Sequence, residues 1–590
     1  MTQNTVDDPV WFPGAPAELV SAVRTLDRAS GLRASVSIAP GSILPELVVH
    51  EADGLFIVEL PAATAACTLA LSLPLRDPVT LWTPGSEVPH GTLPASWAPA
   101  RRISALDGVA IGALVSRRDR AALTYAADAG GAPIAVRGGV VEETAELLIA
   151  FEAPPDTPIA VRVDVAGASF AESVARAGLW LGRAVAPSTE ADERPVFCTW
   201  YYAHQDLRQD DLSRQAERAA AFGFGTVIVD DGWQTDGDER GYASAGDWLP
   251  ARTKLPDPLA LTSHLRELGL RTLWWIGTPF IGRRSDAHAA RTLPVLYDVP
   301  ELEAAVLDVR SRAVRDHIRS RVIGLLERAG GDGFKLDFLE RFAAPAPSPA
   351  PADADHDDAE AAALTLLREL VEDARRIRPD LMIELREPYV GAEVRALASM
   401  IRVEDCPVSP LENRLGIADL RLVAPQTAVH SDPVMWSADD SPERVAHYLL
   451  SALMGVPQVS TDLLRLSAGH AEVLRFWLTF WNQNADTILH GSFVPHRPDL
   501  GYPVIEARGA EDVVIVRYAP VLVTLPDGDW RRISLANADD EVRVPLAGAP
   551  GDYRLTVTDA RGAVVERGSV DPATVGSLTI PSGGLATLTR

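Results

Sequence analysis

Carboxylates, indoles and two lone lysines recur just after short apolar runs in the middle of this 590-residue chain. The runs close on Trp200-Tyr201-Tyr202, Asp230-Asp231-Gly232-Trp233, Trp274-Trp275, Lys335-Leu336-Asp337, Glu384-Leu385-Arg386-Glu387, Arg402-Val403-Glu404-Asp405, His430-Ser431-Asp432 and Ser460-Thr461-Asp462. Carboxylates suit the hydroxyls of a sugar, and an indole suits the apolar face of its ring. Paired carboxylates are also what glycoside cleavage requires. A retaining enzyme uses one as nucleophile and the other as acid and base, roughly 5–5.5 Å apart. The fourth and sixth runs are the natural sources of such a pair. Lys335 stands two residues before Asp337, so on a strand both point to one side. Its charge would lower the Asp337 pKa and keep the carboxylate ionised; the alternative is a structural ion pair. Trp274, Trp477 and Trp481 are expected in the core. Asp231, Glu387, Asp405, His430 and Asp432 are also the types that could ligate a metal.

The balance of 55 Lys+Arg against 81 Asp+Glu, net −26, argues against a nucleic-acid or anionic-membrane partner. Only Lys254 and Lys335 are lysines, leaving 53 arginines. Coding bias accounts for the surface; the two exceptions invite sites where a compact ammonium fits and a planar guanidinium does not. Cys67, Cys198 and Cys406 are too few for a disulfide framework. Met1 to Pro16 lacks the basic and apolar regions of a signal peptide, and no apolar run is long enough to span a membrane. The expected location is the cytoplasm. No Walker loop, C-x-x-C or H-E-x-x-H occurs, so neither cofactor nor metal is expected.

The elements that would carry these residues follow from periodicity. Residues 1–185 read as a β-sandwich with a linker helix at 169–184, because apolar runs are broken every ten or so residues. Residues 190–486 alternate strand and helix eight times. Strands are expected at 196–202, 226–231, 271–276, 333–337, 381–386, 400–405, 426–431 and 457–461. Helices are expected near 210–221, 259–268, 312–328, 357–377, 391–398, 411–421, 442–453 and 469–483. Eight pairs favour a closed (β/α)₈ TIM barrel over an open doubly wound sheet, with the chemistry at the strand C-termini. The Pro/Ala-rich segment 343–353 reads as an excursion. Residues 487–590 read as a C-terminal all-β domain, with a turn at Asp527-Gly528. The fold class is therefore α/β: a barrel flanked by an N-terminal β-sandwich and a C-terminal β domain.

Asp230-Asp231-Gly232-Trp233-Gln234, Gly246-Asp247-Trp248, Lys254-Leu255-Pro256, Leu307-Asp308 and Lys335-Leu336-Asp337 resemble, in order, the signature series of the α-galactosidase (melibiase) clan. The nearest resemblance is to glycoside hydrolase family 36. Phe197-Cys198-Thr199-Trp200 is similar to that family's first-strand motif. The resemblance spans about 196–435. It implies a retaining, metal-independent α-glycosidase for terminal α-linked galactose-type sugars of oligosaccharides or glycosides. Asp337 would be the nucleophile and Asp405 the acid/base. Asp230 and Asp231 would bind the 4- and 6-hydroxyls. Trp233 and Trp248 would shape or stack on the sugar, Lys335 would bind ring hydroxyls, and Trp200 belongs to the first-strand motif.

Departures lie after strands three, five and six. There Arg386 with Glu387 is a different recognition pair, and Arg402 and Asp432 are further substrate-binding candidates. Glu404, placed by strand period on the opposite face from Asp405, and Asp432 compete for the acid/base role. Other readings are a raffinose-synthase-like transferase, a clan member with another glycone, a metal-dependent barrel enzyme, or a non-catalytic sugar-binding protein. Homo-oligomerisation is left open.

Overall fold

The computed structural model describes residues 20–85, 91–185, 188–345 and 348–590. The N-terminal segment read for a signal peptide lies outside the described residues.

Two six-stranded antiparallel sheets come first. One orders strands 20–27, 32–38, 67–74, 146–153, 134–141 and 101–103; the other orders 48–52, 55–60, 159–164, 121–128, 111–116 and 78–82. Leu32, Ala34, Val36 and Ile38 alternate inward on one strand, and Phe56, Val58 and Leu60 do so on another. The two inner faces share one apolar core, the packing of a sandwich. A helix, Phe170–Leu181, follows; its cap residue Ser169 accepts from the Glu172 amide at 3.3 Å.

Eight parallel strands form the central sheet: β1 (Val196–Cys198), β2 (Thr226–Val229), β3 (Arg271–Gly277), β4 (Gly333–Asp337), β5 (Met382–Arg386), β6 (Met400–Arg402), β7 (Ala428–His430) and β8 (Gln458–Val459). β8 pairs with β1. Two isolated parallel bridges, His430 with Val456 and Val434 with Val459, span the seam between β7 and β8. The barrel is thus nearly closed, which a doubly wound open sheet is not. Outside lie α1 (Gln209–Phe222), α2 (Pro258–Glu267), α3 (Arg312–Ala329), α4 (Ala359–Ile377), α5 (Ala392–Arg395), α6 (Pro410–Val423), α7 (Pro442–Ala452) and α8 (Ala468–His490). Asp257-Pro258, Ser409-Pro410 and Ser441-Pro442 start three of them. Each cap side chain accepts an orphan amide while the proline supplies a preset φ.

Four differences from the sequence reading matter. Several strands stop early, and Trp200–Ala203 is a short helix instead of the end of β1. β6 ends at Arg402, so Glu404 and Asp405 lie on a loop and the strand-period argument separating them does not apply. An unanticipated antiparallel sheet (280–282, 295–299 and 304–307) sits between β3 and α3. Residues 348–355 are pinned over the start of α3: Arg310 donates to the Ser348 and Pro349 carbonyls, Ser311 to Asp353 at 2.6 Å, and Arg315 pairs with Asp355 at 2.7 Å.

The C-terminal part has a seven-stranded sheet (492–496, 504–508, 512–517, 532–537, 585–589, 553–558, 564–570) and a three-stranded one (523–525, 543–548, 577–579) around one core. Asp527-Gly528 is a bend joining a strand of the small sheet to one of the large sheet, not a hairpin turn. Among the described residues no helix is long and apolar enough to cross a membrane.

Candidate active site

Asp337 ends β4 and is the most elaborately held carboxylate at the barrel mouth. Its Oδ2 accepts from the Trp275 indole at 2.8 Å. Its Oδ1 accepts from Arg386 Nε at 2.9 Å, the Phe338 amide at 2.9 Å and the Tyr389 hydroxyl at 3.3 Å. Burial pushes this carboxyl up, but Arg386 foremost, then Lys335 and Arg402, outweigh it and hold it well below the usual range. Phe338 takes a left-handed φ of 65°, a conformation disfavoured for a phenylalanine and typical of strain kept at functional sites. Its ring meets Trp275, Tyr242 and Phe280 within 6.5 Å, so one flank of Asp337 is an aromatic wall.

Lys335 is 4% exposed and pairs with Asp230 at 2.7 Å, two strands away, not with Asp337 as its spacing suggested. It still acts on Asp337 through its charge. The direct cation is Arg386, which was expected to read the glycone. Arg386 also meets Glu404 at 2.5 Å and Glu340 at 3.5 Å, so three carboxylates share one guanidinium. Glu340, on the turn after β4, is pushed up to about 7, chiefly by burial. The sequence reading missed it because its signal lies only in that turn's proximity to Arg386. Glu387 turns away from Arg386; its Oε2 accepts from the Glu404 amide at 3.1 Å, and burial pushes it up to about 8.

Asp231, 1% exposed, has both oxygens taken: Gln205 donates to one at 2.7 Å and Gln234 to the other at 2.6 Å. Burial pushes its carboxyl up to about 6 against the pull of these amides. Gln234 follows the D-D-G-W run directly, whereas nothing in the local sequence marks Gln205 as a partner of Asp231. Trp233 and Trp248, expected against the sugar, are 0% and 1% exposed. They pack on each other and on the paired indoles of β3, and Trp233 donates to the Trp275 carbonyl at 2.9 Å. Mutual burial of such large apolar rings is favourable, and Trp275 is the indole that donates to Asp337. Trp200 is half-buried, edge-on to His204 at 4.9 Å. Trp274, Trp477 and Trp481 are in the core as expected.

Arg402 is 2% exposed and joins two carboxylates, donating to Asp405 at 2.8 Å and to Asp432. Asp432 is sealed at 0% exposure, accepting also from the Tyr201 hydroxyl at 3.0 Å and the Cys406 amide at 2.8 Å. Through the Cys406 amide and Arg402 it braces the loop after β6. Asp405 lies on the rim with its side chain 55% exposed. Burial raises its carboxyl, but Arg402 prevails and lowers it; water screens that pull at such exposure. Glu404 is raised, burial outweighing Arg386.

Beneath the mouth, Glu384 meets His430 at 3.3 Å, and Gln458 donates to Glu384. His430 is spent on this contact and on the Asp192 carbonyl at 2.8 Å. The five residues considered as metal ligands therefore do not converge. Among the described residues no group of three or more His, Cys, Asp or Glu is arranged to hold a metal. A cavity of about 970 Å³ lies elsewhere, where the sandwich, α6 and the C-terminal strands meet; none of the residues that end the barrel strands lines it.

Residues 174–386 match the family model described as Melibiase. The chain is 33% identical over 100 residues to the alpha-galactosidase AgaA of Geobacillus stearothermophilus, covering 16% of this chain and 13% of that one. It is 26% identical over 154 residues to the alpha-galactosidase Mel36A of Lactobacillus acidophilus, covering 25% and 20%. These alignments thus span a fifth or less of the curated relatives. A crystal structure of the Geobacillus GH36 enzyme covers 97% of this chain and 83% of its own, with a TM-score of 0.63 at 14% identity. A variant of that enzyme has been solved in complex with raffinose.

Proposed function

The chain belongs to the melibiase family, and from that premise we propose that it is a GH36-like retaining α-glycosidase acting on terminal α-linked galactose-type sugars. The observation that carries the reading is the environment of Asp337. A strand-end carboxylate held ionised by Arg386 and Lys335, with a tryptophan indole on its second oxygen, suits a nucleophile. In this reading Asp337 attacks the anomeric carbon and the glycosidic oxygen leaves with a proton from the acid/base. The same acid/base then activates water to hydrolyse the glycosyl ester, so the configuration is retained. Asp230 and Asp231 bind the 4- and 6-hydroxyls of the ring, and Lys335 binds ring hydroxyls near the reacting carbon.

Asp405 takes the acid/base role by motif position and rim exposure. Glu404 is a rival: its carboxyl is raised and it lies on the same loop, but its Oε1 is tied to Arg386 at 2.5 Å. D337N tests the whole reading. Turnover of an aryl α-galactoside should fall to background with the far-UV spectrum and melting temperature retained; full activity would end the proposal. D405A should lose on the order of 10²–10⁴-fold, less on an activated aryl leaving group, and azide should restore part of it. The same signature in E404A and not in D405A would move the role to Glu404.

A further inference from the structure

Lys254 was a family-motif position without a role. It is 4% exposed, and no carboxylate lies within ion-pair distance of it among the described residues. Its ammonium sits where three backbone carbonyls converge: Gln205, Gly232 at 3.3 Å and Gly237 at 2.5 Å. These belong to the loop after β1, the D-D-G-W turn after β2 and the stretch that follows it. The Lys254 carbonyl accepts from the Gln209 amide at 2.9 Å, a second tie to the first loop.

The pieces it gathers are the ones that hold Asp231. The Gln205 amide donates to Asp231 at 2.7 Å and to the Gly241 carbonyl at 3.0 Å, and its oxygen accepts from the Arg240 amide at 3.0 Å. Gly232 has a φ of +116°, and a Cβ there would lie 2.5 Å from Gln205 Cα, so the two loops are in backbone contact. A tripod of oxygens around one point matches the three N–H donors of an ammonium; a planar guanidinium directs its donors differently. That is a reason for lysine here in a chain that otherwise uses arginine.

We propose that Lys254 is a positioning residue for sugar recognition, locking the loops after β1 and β2 together so that Gln205 presents Asp231 in one fixed orientation. The proposal rests on the α-glycosidase reading for its functional half. Its structural half stands on the carbonyl tripod alone.

The test compares K254A, K254R and Q205A with the wild-type protein by steady-state kinetics on an aryl α-galactoside and by hydrogen exchange of the 204–209 segment. K254A should raise KM tenfold or more with a smaller change in kcat, and amide exchange at 204–209 should speed up. n-Propylamine at millimolar concentration should reverse both effects, and n-propanol, of the same shape without the charge, should reverse neither. K254R should behave like K254A. Q205A should reproduce the KM defect with Lys254 intact, which keeps the test open if K254A does not fold. A wild-type KM and exchange pattern in K254A or K254R, or equal rescue by propanol, would overturn the proposal. If wild-type protein turns over no α-glycoside, the proposed function fails; the amine-reversed exchange then still decides whether the tripod holds the loops.

Discussion

At the scale of single residues, the consequential contact is Arg386 on Asp337. The guanidinium lowers the carboxyl of Asp337 against its burial, so the carboxylate stays ionised far into acid. Removing it in R386M should raise that pKa. The acid limb of the kcat/KM profile should then move to higher pH, with little change on the alkaline limb; an unmoved acid limb would mean that Arg386 does not set this titration. Residue types and spacing made Asp337, Lys335 and Asp230 legible, because acids and cations at strand ends are recognisable without coordinates. Their partners were not legible. Residues i and i+2 share a side of a strand, which suggested a Lys335–Asp337 pair, but the ammonium reaches across β3 to Asp230. Such choices depend on cross-barrel distances that no local pattern encodes. The two indoles after β2 point the same lesson: an aromatic beside a carboxylate reads as a sugar platform until its burial is known.

At the scale of elements, helices were read well because their signals are local. Ser or Asp caps followed by proline, and a continuous apolar stripe, begin and carry α2, α6 and α7. Strand ends were read poorly. An apolar run continues through residues 200–202 and 403 although the ladder has already stopped, since hydrophobicity reports burial and not hydrogen bonding. The sheet inserted after β3 escaped notice because its strands are three to five residues long. The turn after β2 is the element on which the proposed sugar recognition rests. G232A should destabilise the protein by about 1–3 kcal/mol, since a non-glycine residue is strained at that φ, and should raise KM by displacing Gln205. Denaturant unfolding and kinetics on one preparation check both; unchanged values would show that the turn tolerates a side chain.

At the scale of the whole molecule, the three regions are tied by polar contacts that no pattern within one region could announce. The Tyr502 hydroxyl accepts from the Trp82 indole at 2.7 Å and donates to Asp419 at 2.6 Å, joining C-terminal segment, sandwich and α6. Y502F should cost about 1–3 kcal/mol, because it removes two buried hydrogen bonds, one of them to a carboxylate; a wild-type melting temperature would refute the tie. His496 lies between Asp119 of the sandwich, at 3.5 Å, and Glu506, at 2.8 Å. Burial lowers its pKa, but these two carboxylates prevail and raise it to about 9. A histidine with a raised folded pKa contributes stability that is fully present below its unfolded value of about 6.5 and is lost as pH climbs through about 9. The melting-temperature gap between wild type and H496Q should therefore be widest near pH 6 and close above pH 9. A gap independent of pH would remove the charge from the explanation.

The amino-acid sequence by itself determined the eightfold strand–helix rhythm, the β character of both flanks and which strand ends carry acid, cation and indole. Each of those is written in short-range periodicity or residue type. Tertiary structure alone decided which of these groups meet. It brought β7 and β8 together, set Arg386 on Asp337 and Lys335 on Asp230, sealed Asp432 and buried Trp233 and Trp248. Pairing across a barrel depends on shear, side-chain reach and competition for space among residues up to hundreds of positions apart. The two lysines show the division most clearly. Their rarity was visible at once, whereas the carbonyl tripod around one and the carboxylate beside the other exist only once the loops are folded together.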